Sequence, residues 1–179
     1  MTAADAATPW QRPPLATILT AIALIAVAEV GGASMVQFKL EVTRWARGVM
    51  LSRPATHGLV GVRDVDEQVL DEALVKIDAG LRLFHMHAEG MGLVILATTT
   101  VAATFVVSMM ARRAILLLLT VGGAGYPFGY LVWSGLIPYV GIARGKALAE
   151  WLFWIPFGGA AIVAMWWLVA IVAARLGRA

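Results

Sequence analysis

Residues 81–110, LRLFHMHAEGMGLVILATTTVAATFVVSMM, decide the fold. At about 1.5 Å rise per residue, this run is long enough to cross a hydrocarbon core of about 30 Å as a helix. Yet it opens with His85, His87 and Glu89. Hydrocarbon accepts ionisable side chains only when they are paired, protonated, ligated or turned to a wet cavity. The rest of the chain reads as a scaffold around that entrance.

The composition agrees. The chain has 179 residues, 60% of them hydrophobic and only 14% charged, against about 25% charged in soluble domains. Cysteine is absent. That removes disulfides, thiolate metal sites, Cys nucleophiles and c-type haem attachment from consideration. The formal net charge of +3 comes without a basic, aromatic-interleaved run, which speaks against nucleic-acid binding. Phosphate loops, nucleophile elbows and zincin motifs are also missing.

The expected fold is therefore an all-α integral membrane protein, one membrane domain over 1–179. Four transmembrane helices are expected at 15–38, 82–110, 114–137 and 150–174, with an amphipathic helical loop at 39–81 between the first and second. Residues 1–14 are polar and their first basic residue is Arg12. Secretory signals begin with a basic region, so 15–38 reads as a retained span.

In the loop, Phe38, Val42, Trp45 and Val49 fall on one side of a short helix, with Lys39, Arg44 and Arg47 elsewhere. That pattern suits the headgroup region. Asp64 followed by Glu67 reads as a capping box. It opens a second loop helix with Val65, Val69, Ala73, Ile77 and Leu81 on its apolar face, running into the second span with a bend at Gly80. Pro127 is expected to kink the third span. Gly125 and Gly129 there permit close helix approach. Trp151, Trp154, Trp166 and Trp167 read as an interfacial belt on the fourth.

Orientation rests on Lys and Arg near the helix ends. Arg12, Arg112, Arg113, Arg175 and Arg178 fall on one side of a four-span protein. The expectation is that both termini are cytoplasmic and 39–81 outside, in a bacterial inner membrane. The loop holds more Lys and Arg, but it is long and carries seven acids, and acids contribute little to the rule.

This topology brings the unusual residues to one leaflet. Counting helical rise, Glu29 lies roughly 13 Å below the end of the first span, and His85 and Glu89 about 5 and 10 Å below the start of the second. On a helix, His85 and Glu89 share a face and His87 is turned by about 200° to another neighbour. If the segment were extended, all three would point one way as a ligand set. His with carboxylate suits Zn, Fe or Cu. Two readings stay open. In one, His85, Glu89, Glu29 and His87 form a metal site, or His85 and His87 hold a cofactor. In the other, the histidines hydrogen-bond locally while Glu89 pairs with Arg82 or carries a proton.

The segment FHMHAEGMG resembles the His-x-His motif, followed by a Gly-containing helix, at the outer end of membrane helices in haem–copper-oxidase-like proteins. The resemblance implies that His85 and His87 bind haem or metal. The chain departs from that family in having four spans rather than a dozen. Its one other histidine, His57, lies in the loop. A haem would then need a ligand from a partner subunit, or a non-His ligand. Three functions follow as expectations. One is a subunit of a respiratory or redox-type membrane complex. Another is a non-catalytic accessory or assembly subunit packing against larger membrane partners. The third is an oligomeric proton-coupled transporter with Glu29, Glu89 and the histidines as a relay. Membrane lipid, and other membrane subunits or further copies of the chain, are the expected partners.

Overall fold

The computed structural model describes residues 10–177. The tail 1–9 and Arg178, which entered the orientation reading, lie outside that range. All regular structure among the described residues is helical. Four helical stretches are long and apolar enough to cross a membrane: Leu15–Gln37, Arg63–Phe105, Met109–Val140 and Ile142–Leu176. The elements are α1 (Leu15–Gln37), α2 (Lys39–Leu51), α3 (Pro54–His57), α4 (Arg63–Phe105), α5 (Met109–Gly125), α6 (Phe128–Val140), α7 (Ile142–Ala149), a π-helical segment (Glu150–Gly158) and α8 (Gly159–Leu176).

The number and order of these long apolar helices match the sequence reading, but their boundaries do not. The second is one continuous helix of 43 residues, about 65 Å long, rather than a helix starting at 82 with a bend at Gly80. Gly80 is buried, and a Cβ there would strike the Ser134 hydroxyl and approach Trp133 Cε3 at 3.1 Å. Its smallness lets α6 close on α4 and does not loosen the helix. The second helix ends at Phe105 rather than 110. The β-branched pair Val106–Val107 precedes Ser108, whose backbone is extended and whose hydroxyl accepts from Ala111 N at 3.4 Å. Ser108 thus acts as the N-cap of α5, and Arg112 and Arg113 fall inside its first turns instead of forming the turn itself.

Residues 39–81 make a helical cap. Its core is Ala46 and Met50 from α2, Leu70, Ala73 and Ile77 from α4, and Ile137 from α6. The buried face of α2 is therefore Val42–Ala46–Met50, at i, i+4 and i+8. Trp45 and Phe38 stay exposed, Trp45 lying edge-on to Tyr139 at 6.0 Å. On α4, Val65 is likewise exposed and Leu70 takes the inward place. The expected capping box is absent. Helix α4 begins at Arg63 without a side-chain cap. Asp66 instead reaches back to Val60 N and Gly61 N at 2.8 and 2.9 Å, where Gly58 and Gly61 reverse the chain with φ of 67° and 80°. Glu67 takes a two-pronged bond from Arg47 Nη2, at 2.5 and 2.6 Å. That guanidinium holds the Glu67 carboxyl below the usual carboxylate range. His57 Nε2–H donates to Pro138 O at 3.0 Å, tying α3 to the end of α6.

The apolar helices below the cap pack through small residues. Between α1 and α4 lie Ala21, Leu24, Ala28, Phe84, Ala88 and Ile95. A Cβ on Gly92 would meet Ala21 O at 3.0 Å. At the far end, α4, α5 and α8 share a cluster around Ala102, Ile115, Leu119 and Leu168. There Arg175 Nη1 donates to Phe105 O at 3.0 Å and Arg112 Nη1 to Ala103 O at 3.4 Å. Both cations cover the carbonyls left open at the end of α4.

The third span breaks at Tyr126–Pro127, between α5 and α6, as Pro127 predicts. Its glycines pack against the fourth span of the same chain. Gly125 and Gly129 lie against the rings of Phe157 and Trp154, both on the π segment. Pro156 in that segment has no N–H to give to the carbonyl four residues back. Of the four tryptophans read as a belt, Trp151, Trp166 and Trp167 are exposed. Trp154 turns inward instead, its ring 4.8 Å from Tyr130.

Candidate functional site

Residues 81–92 are helical throughout, so the extended ligand arrangement does not form and His85 and His87 leave opposite sides of α4. His85 faces α1. Its Nδ1–H donates to Ala28 O at 2.8 Å. Because a carbonyl only accepts, the proton sits on Nδ1. The ring lies over Gly32, where an added Cβ would stand 2.8 Å from Cε1. Glycine at 32 is what lets an imidazole fit between two helix backbones. His85 thus works as a hydrogen-bonded staple between the first and second apolar helices.

His85 also lines a groove of about 680 Å³ together with Glu29, Gly32, Lys39, Asp78 and Arg82. Helical counting set Glu29 about 8 Å deeper than His85 in the same leaflet; the two nevertheless border one groove. Asp78 sits between the two cations, 2.9 Å from Arg82 Nε and 3.9 Å from Lys39 Nζ. So Arg82 pairs with Asp78, not with Glu89 as one reading had it. Glu89 is exposed and does not line this groove.

His87 belongs to a different cluster. Its Nδ1–H donates to Leu83 O at 2.8 Å, one turn back on its own helix. Its ring stacks on Tyr130 at 4.6 Å and meets Tyr126 edge-on at 5.6 Å. The two phenols share a hydrogen bond of 2.9 Å. Trp154 lies beyond Tyr130, and Trp133 is 6.2 Å from Trp154. The indole nitrogens of Trp133 and Trp154 are buried without a hydrogen-bond partner among the described residues.

The expected metal site does not assemble. Among the described residues, no group of three or more His, Asp or Glu side chains is placed to hold a metal ion. The cause is helical phase: His87 is turned from His85 to α5 and α6, while Glu29 shares the groove with His85 but brings no third ligand. The Tyr126–Tyr130–Trp154 cluster was not foreseen. Its signal was present in Tyr126 and Tyr130 at i and i+4, flanking Pro127. No protein-family model, curated protein or solved structure matches the chain.

Proposed function

We propose that this is an integral membrane protein acting as a non-catalytic accessory or assembly subunit, with the helical cap presented to larger membrane partners. One observation carries this reading: α4 continues without interruption from the apolar bundle into the cap, and the cap core closes on Ile137 of α6. About 28 Å of helix, residues 63–81, stands beyond the expected span. A partner gripping the cap is thereby coupled rigidly to the bundle. The histidines fit the same role. Two of them bridge separate elements, His85 from α4 to α1 and His57 from α3 to α6. A carbonyl-bound imidazole between helices is a packing device in apolar surroundings.

The test is blue-native electrophoresis of the full chain extracted from its own membrane in mild detergent. The expected result is migration in an assembly larger than a single chain. Glutamates at the exposed Val60, Val62 and Val65 of the cap should release it. Migration of the parent as a single chain overturns the proposal. So does a stoichiometric metal, or a haem absorption band, that disappears in His85→Ala, because the residue would then serve a redox centre.

The proposed orientation places the cap outside and the Arg112–Arg113 end in the cytoplasm. The exposed Glu72, replaced by cysteine in a chain with no other cysteine, is expected to react with an impermeant maleimide in intact cells. Reaction only after permeabilisation would reverse the orientation.

A further inference from the structure

The end of the bundle opposite the cap has a one-sided charge. The stretches that meet there, 10–22, 97–122 and 165–177, contain no Asp or Glu. They do contain Arg12, Arg112, Arg113 and Arg175. Three of these arginines border one groove of about 530 Å³ between the segment entering α1 and the start of α5. Arg12, Arg112 and Arg113 line it together with Leu15, Ile18 and Leu116. The groove is basic at its mouth and aliphatic along its wall.

Its position is held by the surrounding structure. Gln11 N donates to Thr104 Oγ1 at 2.9 Å, and Trp10 stands edge-on to Phe105 at 5.7 Å. These contacts fix Arg12 beside the α4–α5 turn. Arg112 is braced by bonds to Ala103 O and Met109 Sδ at 3.4 and 3.3 Å. The N-terminus of the 17-residue α5 opens at Met109, itself part of the groove. Its free N–H groups and dipole add positive potential. Among the described residues no acid pairs with Arg12, Arg112 or Arg113.

We infer that this groove binds the phosphate headgroup of an anionic membrane phospholipid, with an acyl chain lying against Leu15, Ile18 and Leu116. Charge complementarity selects an anion: three guanidiniums, each able to fork onto phosphate oxygens, face a single cleft. The aliphatic wall selects a lipid over free phosphate, because burying acyl methylenes adds affinity that an inorganic ion lacks. A basic pocket between apolar helices, at the level where the chain leaves hydrocarbon, matches headgroup chemistry. By contrast, the groove at Glu29 and His85 mixes acids with bases and offers an anion no such preference.

The experiment is native mass spectrometry on the full-length, delipidated protein in detergent, titrated with phosphatidylglycerol or phosphatidylcholine of equal chain length. The expected result is a preference for phosphatidylglycerol on the order of tenfold, weakening as salt rises. The paired variant Arg12→Gln, Arg113→Gln should lose it, leaving the Arg112 bond to α4 in place. Lys146→Gln, at the cap side, should retain it. An equal preference in the paired variant and the parent overturns the inference. So does full displacement of the lipid by millimolar inorganic phosphate, which would make the cleft a free-anion site. Should the paired variant melt earlier than the parent, Arg113→Gln alone decides by the same loss or retention of preference.

Discussion

Leucine at position 122 is expected to lower the melting temperature of the detergent-solubilised protein by roughly 5–12 °C, or to stop the chain from folding. The size follows from what surrounds Gly122. A Cβ there would lie 2.6 Å from Phe157 O and 2.8 Å from Ala161 N. Both are backbone atoms of the π segment and α8, so no side chain can swing aside. The two helices must separate, and that opens the Gly125 and Gly129 contacts as well. Overpacking costs about 1–3 kcal/mol where neighbours can adjust, and more where they cannot. For a chain of this length each kcal/mol is about 2–4 °C. The control is Gly90→Ala. No atom lies within 4 Å of a Cβ at 90, and alanine favours a helix by about 1 kcal/mol over glycine. That variant should melt at or above the parent temperature. A Gly122→Leu protein that melts like the parent would show that α5 and the fourth span do not touch there.

The second large effect is expected from Ile137→Ala. Ile137 is fully buried and is the residue through which α6 enters the core of the cap. Truncating a buried isoleucine to alanine costs about 2–5 kcal/mol, through lost transfer energy and the cavity left behind. The loss should be local before it is global. Hydrogen exchange is expected to quicken in α2 and α3 while α1 and the lower part of α4 keep their protection. If the cap is the gripping surface, the same variant should also shed the larger assembly on blue-native gels. Unchanged exchange in α2 would remove Ile137 from the cap core and, with it, the case for rigid coupling.

Much of the architecture was readable from the chain, for physical reasons. Apolar length is a local property, so the four helices long and apolar enough to cross a membrane were visible. Pro127 removes a backbone N–H and crowds the preceding turn, and the helix breaks there. What failed were inferences from size. The large residues Phe38 and Trp45 set the apolar side read for α2 and hid its inward one, where Ala46 lies because a small residue lets two helices approach. Gly80 looked like a hinge for a similar reason; its neighbours Trp133 and Ser134 lie more than fifty residues away, and only they reveal its role. The site was legible in part. Counting turns placed Glu29 and His85 in the same leaflet, and helical phase sent His87 elsewhere. The partners of the histidines were not legible. All three bond to backbone carbonyls, and an acceptor present at every residue leaves no trace in the pattern of side chains. That also explains why three ionisable groups within five residues suggested a ligand set.

The unbroken α4 has a consequence for how this chain can change. A helix shared by two packed regions is a screw joining them. One residue gained or lost between Leu81 and Phe84 would turn the cap by about 100° against the bundle and shift it by about 1.5 Å. Leu70, Ala73 and Ile77 would then swing away from Ile137. A seven-residue change nearly restores the phase and alters only the height, by about 10 Å. Length variation in this part of the chain is thus quantised by the helical repeat, whereas the loop at 58–62, outside any helix, is free of that constraint.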